Sequence, residues 1–430
     1  MRTAIQRGVL GAATAGAMTA LLIAGTQPAQ AGGFALREGS ADWMANAFAG
    51  DTAKGYDAST VWSNPAGMVR LNQNEIDGSL NGIFPSINFS GSAVDRFGAP
   101  VAGTTGGNLI QSAATGGVYA VWNLSPDFKL GFGADAPFGQ RVANPGNFVG
   151  RYQSLVSSIT DEAFTISAAY KINQQWSIGG GPVIDVFSAR LTQAVQPFLP
   201  GLNALGDPVA DLHGQDVGAG FNLGVMYQAT PDLRFGLDYR SRIQHNISGT
   251  QSVFVPPALG FLSPLLAAQN SPASTKITLP DSASLGAYWQ ATPQLALLAD
   301  IVWTNWSLLK NIVIVPTSPL ASGSTIAENW RDTVGIFTGA NYQATRTLML
   351  QGGAGFDQSP VTDNNRTSRI PDANHFVIGL GAQYEVTPAI TLQMAYAHVF
   401  VPSAPIQSGG ITGTYSDAAN TGSLGVKIRF

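Results

Sequence analysis

One short turn is written about six times along this chain, each time after an aromatic residue and before a run in which apolar and polar residues alternate. YQATPDLR begins at Tyr227; its relatives are WNLSPDFK at Trp122, YKINQQWS at Tyr170, WQATPQLA at Trp289, YQATRTLM at Tyr342 and YEVTPAIT at Tyr384. Alternation with period two marks strands with one apolar and one polar face. At the C terminus Leu424, Val426, Ile428 and Phe430 share one face, and Gly425, Lys427 and Arg429 the other. Leu233, Phe235, Leu237 and Tyr239 alternate likewise with Arg234, Gly236, Asp238 and Arg240. Phe376, Ile378, Leu380, Ala382, Tyr384 and Val386 make a third apolar row. His398 interrupts a fourth, where Ile390, Leu392, Met394 and Tyr396 place it outward.

From Asn74 onward roughly fourteen such segments follow one another, joined alternately by about six short turns and seven long loops. Short turns at one rim, long loops at the other and an even strand number predict an all-β fold, a transmembrane antiparallel barrel of about fourteen strands. In lipid no strand edge can stay unpaired, so the sheet must close on itself. The Trp or Tyr before each turn then falls at the membrane interface, where an amphipathic ring is favoured. Composition agrees: 11% of residues are charged, against roughly 25% in soluble proteins. A secreted sandwich or propeller would have to bury an apolar row on every strand with that few charges. The net charge of −4 and the lack of a basic cluster exclude nucleic acid as a partner.

Residues 1–31 read as an export signal. Arg2 and Arg7 supply the positive region, Val9 to Ala24 the apolar stretch, and Ala29-Gln30-Ala31 the cleavage site. Beyond them no window has the roughly 20 apolar helical residues needed for a spanning helix; Val253 to Gln269 is interrupted by Pro256, Pro257 and Pro264. With no cysteine anywhere, disulfides cannot support the exported fold. Residues 32–73 lack strand periodicity, are rich in small residues, and carry Phe34, Trp43, Phe48, Tyr56 and Trp62. Trp43, Ala47 and Phe48 have the spacing of a short helical face. This segment is expected to be a plug, or hatch, inside a barrel formed by residues 74–430.

Several motifs resemble one family. GGF at the start of the mature chain, AFAGDTA at Ala47 to Ala53, DASTVWSNPAGM at Asp57 to Met68, APFG at Ala136 to Gly139 and GRY at Gly150 to Tyr152 occur in order. DYRS at Asp238, WTNWS at Trp303, NWRDT at Asn329, FDQSP at Phe356 and AYAHVFV at Ala395 continue the series. Together they resemble the FadL family of outer-membrane transporters for hydrophobic compounds, over essentially the whole mature chain. The resemblance implies a hatch gated through its NPA triplet, Asn64, Pro65 and Ala66, and a start around Phe34 that moves when ligand binds. It also implies lateral release through a kinked third strand at Ala136, Pro137, Phe138 and Gly139. Gly131 and Gly133 weaken that strand and Pro137 cannot donate to its ladder, so a kink is open from the residues as well, as is a simple strand end at Pro137.

Two outer loops are unexpectedly apolar for a sugar or ion porin: Val195 to Leu205, with Phe198, Leu199 and Leu202, and Val253 to Leu266, with Phe254, Leu259, Phe261, Leu262 and Leu265. Apolar surface of this kind marks a binding groove. A fatty-acid carboxylate would also want a luminal cation. Arg234, Arg240, Lys427 and Arg429 face inward by alternation, and Arg240 is carried as the candidate. Chemistry is otherwise sparse. His213, His245, His375 and His398 lack metal-ligand spacing, no G-x-S-x-G elbow occurs, and no phosphate loop is present. The expectation is a non-enzymatic, cofactor-free transporter of a Gram-negative outer membrane, in contact with lipid and lipopolysaccharide and acting as a monomer. Its cargo is a long-chain fatty acid, or alternatively an aromatic hydrocarbon. A general diffusion porin and an outer-membrane lipid hydrolase are further alternatives.

Overall fold

The computed structural model describes residues 32–430, so the export signal lies outside the described residues. Backbone hydrogen bonds link nineteen strand segments into one sheet. In chain order they are β1 (Glu75–Ala93), β2 (Ala113–Asn123), β3 (Phe128–Asp135), β4 (Gly139–Ala143), β5 (Val156–Lys171), β6 (Trp176–Ala194), β7 (Val209–Thr230), β8 (Leu233–Arg240), β9 (Ile243–Phe254) and β10 (Ser271–Leu279). They continue as β11 (Ser282–Gln290), β12 (Leu295–Thr304), β13 (Asn311–Pro316), β14 (Ser324–Ala327), β15 (Thr333–Gln343), β16 (Leu348–Asp357), β17 (His375–Thr387), β18 (Ile390–Ser408) and β19 (Ile411–Arg429). Three staves of the wall are each split in two, β3/β4, β8/β9 and β10/β11, and β13–β14 is a hairpin in an outer loop. The remainder is a closed antiparallel barrel of fourteen staves. β1 closes it against β19, from Glu75 opposite Arg429 to Ala93 opposite Ile411.

Alternation sets the two faces as expected. Leu424, Leu380, Ile378, Tyr396 and Leu237 are exposed on the outer wall, while Lys427, Ser423, Gln383 and Asp238 are buried within. Trp122, Tyr170, Trp289, Tyr342 and Tyr384 stand exposed at the short-turn rim, and Tyr227 stacks on Trp176 at 4.4 Å. His398 lies on the outer face, bonded to Asn420 and edge-on to Phe400. The strict alternation of connections fails once. β18 and β19 are joined by a two-residue turn at Gly409 and Gly410, both at positive φ, the conformation that a tight hairpin requires and glycine tolerates. No helix among the described residues is long and apolar enough to cross a membrane.

The N-terminal segment lies inside this ring. Helix α1 (Ala41–Ala45), a turn at Thr60–Ser63 and a 3₁₀ helix (Pro65–Arg70) contact β1, β2, β3, β5, β6, β7 and β16 to β19, strands spread so widely around the ring that only an interior position reaches them. α1 is capped by Ser40 Oγ and ends before the helical face that the sequence suggested, because Ala47 and Phe48 adopt positive φ. The bend presses the hatch backbone against the wall. A side chain on Gly353 would strike the Asn46 carbonyl, and one on Gly379 the Met44 carbonyl.

Candidate functional site

The two apolar outer loops meet. Phe198 and Leu202 form one side of a cleft and Leu259, Leu262 and Leu266 the other. Pro257 starts the short 3₁₀ turn that carries Leu259 and Leu262. Leu259 and Leu262 are buried in the seam, whereas Phe198, Leu199, Phe254, Phe261 and Leu265 remain exposed. The loop with Phe198 is held by residues of the GRY motif: Arg151 Nε lies 2.6 Å from Asp207, and Tyr152 donates to the same carboxylate at 2.8 Å.

Deeper in, two narrow apolar spaces adjoin. Ala189, Leu212, Ile247 and Ala273 line the first, Phe34, Ile159, Leu309 and Ile370 line the second, and Leu191, Ile277 and Ile312 border both. The second ends at a cluster of four rings. Phe34 packs 4.9 Å from Trp306, 5.5 Å from Trp330 and 5.8 Å from Phe138. Three of these rings are buried and Phe138 is half-buried, a contact set worth several kcal/mol by area alone.

Phe138 belongs to the interrupted third stave. Asp135 opposes Ala163 of β5, and Gly139 opposes Thr160. Four steps along this stave thus match three along β5, a one-residue bulge at 136–138. On its other side β2 pairs with β3 only from Val118 to Asn123, and β4 pairs with no part of β2. The start of the hatch fills the break. Leu36 N–H donates to the Pro137 carbonyl at 2.7 Å, Gly139 N–H donates to the Phe34 carbonyl at 2.8 Å, and Ala35 bridges Phe138. Leu36 itself packs on Ile83 and Ala113 beside the unpaired stretch.

The hatch is bolted to the wall by polar contacts. Asn64 Nδ2 donates to the Thr52 and Val225 carbonyls at 2.8 and 3.2 Å, and its Oδ1 accepts from Ala66 N–H at 3.1 Å. Pro65 opens the 3₁₀ helix, where its missing N–H costs nothing. Lys54 is buried between Asp42 at 2.7 Å and Asp51 at 2.9 Å. Burial works against its charge, but the two carboxylates outweigh it and hold the ammonium above its usual range. Burial pushes Asp51 up to about 6 and Glu38 up to about 7.

Residues 22–430 match the family described as Outer membrane protein transport protein (OMPP1/FadL/TodX). The chain belongs to that family. It is 25% identical to a long-chain fatty acid transport protein of Salmonella typhi, over 91% of this chain and 92% of the relative. It is 26% identical to a 47 kDa outer membrane protein of Pasteurella multocida, over 94% and 95%. Among solved structures, a Pseudomonas aeruginosa FadL homologue superposes with a TM-score of 0.86 at 22% identity, covering 93% of this chain and all of that one. The toluene transporter TbuX of Ralstonia pickettii gives 0.67 at 17% identity, covering 92% and 99%. These structural likenesses speak to the fold. The family places the protein in the outer membrane as a transporter of hydrophobic compounds.

Within this FadL-family barrel the residues singled out from sequence form three groups. Phe198, Leu199, Leu202, Phe254, Leu259, Phe261, Leu262 and Leu265 lie on or beside the outer cleft. Phe34, Ala136, Pro137, Phe138 and Gly139 meet at the wall break, with Gly133 just below it on β3, close to Tyr119 and Val61. Asn64, Pro65 and Ala66 anchor the hatch to β6, β7 and β8. Arg240 stands apart from the cleft: it donates to the Trp62 carbonyl at 2.7 Å and stacks 3.7 Å over the Trp62 ring, under the hatch. Arg234 is used similarly, on the carbonyls of Ala53 and Lys54. Sequence reading missed Leu191, Ile277, Leu309, Ile312, Trp306 and Trp330. The WTNWS and NWRDT motifs, which contain Trp306 and Trp330, were its one signal.

Proposed function

We propose that this protein takes up long-chain fatty acids or related hydrophobic compounds by passive, ligand-gated diffusion. Ligand partitions into the loop cleft, moves into the apolar spaces around Ile277 and Ile312, and displaces the Phe34 ring. That displacement draws Phe34, Ala35 and Leu36 off the third stave. Release is then sideways between β2 and β4, so the cargo never has to be fully hydrated. The observation that carries this reading is the backbone pairing of the hatch start with Pro137 and Gly139, where the third stave has no partner in β2. No catalytic step is involved, and a single copy suffices.

The chain has no native cysteine, so a double variant, Ala35→Cys with Phe138→Cys, gives a clean lock. Facing residues of an antiparallel bridge have the spacing a disulfide needs. Oxidised cells should lose uptake of labelled oleate and regain it on reduction. Unchanged uptake in the fully oxidised double variant would overturn the gate. A second reading, uptake of aromatic hydrocarbons, is favoured by the four-ring cluster at Phe34. Displacement of bound oleate by toluene from purified protein would support it.

A further inference from the structure

Most luminal cations are already committed. Lys54 serves Asp42 and Asp51, Arg37 serves Asp357, Arg429 serves Glu75, and Arg366 pairs with Asp363. Lys427 reaches the Tyr56 carbonyl and Gln383. Arg369 differs. It sits in the outer loop between β16 and β17, which folds back into the lumen, and only 6% of it is exposed. Its Nη2 donates to Gln193 Oε1, and its carbonyl accepts from Gln140 Nε2 at 3.1 Å. Its Nη1 has no hydrogen-bond partner. The same residue borders the second apolar space, with Phe34, Leu191, Ile277, Leu309 and Ile312. A buried guanidinium nitrogen left open costs desolvation free energy that a ligand anion would recover. Glu328 lines the same space, and the side-chain hydrogen bond of Arg369 goes to Gln193 instead, which leaves its Nη1 unused. Arg240 also keeps an unpartnered Nη1, but its other contacts hold it beneath Trp62.

We infer that Arg369 is the anchor for the carboxylate of the cargo, with the aliphatic tail lying along Leu191, Ile277, Leu309 and Ile312. This rests on the reading of that space as the ligand site, and it makes the preferred cargo an acid rather than a hydrocarbon. Glu328 supports the selectivity. Burial pushes its carboxyl up to about 7, and burial pulls Arg369 down to about 10, each opposed by the charge of the other. An arriving carboxylate therefore meets a cation whose neighbouring acid readily takes up a proton.

The test is binding of oleate and of methyl oleate to detergent-purified, folded protein, with heat-modifiable gel migration as the check on folding. Arg369→Met should weaken oleate about tenfold or more, the loss expected for a charged hydrogen bond, and leave methyl oleate within about twofold. Arg369→Lys should recover part of the oleate affinity, since it returns the charge without the fork geometry. Oleate binding unchanged in Arg369→Met, or equal losses for acid and ester, would overturn the assignment. Equal affinity of the unmodified protein for acid and ester would overturn it too, while leaving the transport reading intact. Failure of the unmodified protein to bind oleate, methyl oleate or toluene would instead sink the transport reading itself.

Discussion

Single residues hold the hatch by two unlike devices, and each gives a prediction. Asn64 joins three backbone groups from the hatch and the wall, and Gly224 and Gly236 leave room for it, since a side chain on either would strike Asn64 or Thr52. Asn64→Ala should cost about 1–2 kcal/mol of local anchoring. Faster hydrogen exchange over residues 50–70 would report it, and wild-type protection there would refute it. Glu38 is the second device. Its carboxyl is buried beside the hatch start and holds its proton up to about 7. A buried acid whose folded value exceeds its unfolded value binds more protons when folded, so stability falls as pH rises from roughly 4.5 to 7 and is flat above. The hatch start should loosen by about 2 kcal/mol between pH 5.5 and pH 8. Limited proteolysis near residues 32–40 should quicken over that range in the wild type and hold level in Glu38→Gln; an equal change in both would remove Glu38 from the account. Neither device is visible in sequence as such. NPA is legible as a motif, but that its asparagine bridges to β7 depends on which strand passes beneath it. The place of Arg240 is hidden for the same reason: alternation says that it points inward, not how high in the lumen it sits or that it stacks on Trp62.

Among the elements, alternation made most staves legible, and it failed where the wall slips phase. The third stave gains one residue at 136–138. The seventh does so at 241–242, where inward positions change from Arg240 to Ile243 and His245. A bulge leaves no signature in a period-two pattern except two short runs of opposite phase, and short runs are easily read as separate strands or loop. Pro137 was the cue in the third stave, and both a kink and a strand end fitted it. The tight outer turn was also missed, although Gly409-Gly410 is the dipeptide that two-residue hairpins favour. The bulge itself is open to test. Deleting Pro137 restores one-to-one register between β3/β4 and β5 and should close the break against β2. Uptake of labelled oleate is expected to vanish while insertion and heat-modifiability persist. Normal uptake in a correctly inserted deletion variant would end the lateral-release idea. Substituting valine at Gly133 is a poorer probe, because its side chain would crowd Thr165, Tyr119 and Val61 and disturb the hatch as well.

Taken whole, the described part of the molecule is a closed ring whose bore is stoppered by residues 32–73. In planar bilayers the intact protein should conduct ions poorly, and removal of residues 32–73 should open steady conductance. Similar conductance in the two would mean that the stopper does not seal. The ring and the stopper also fit closely. The hatch backbone lies against Gly353 and Gly379 with no room for a side chain, and it touches both β1 and β19, the first and last strands of the chain. Those two strands are partners although almost the whole polypeptide separates them, so their seam carries the largest loop-closure cost and should zip late. The order of assembly follows. A seam that zips late leaves room for the N-terminal segment to be seated against β15–β18 while the ring is still a curved open sheet, before β1 meets β19. On that order stopper and wall are matched within one interval of biogenesis, and a chain that closed early would keep its barrel but leave the bore without its stopper.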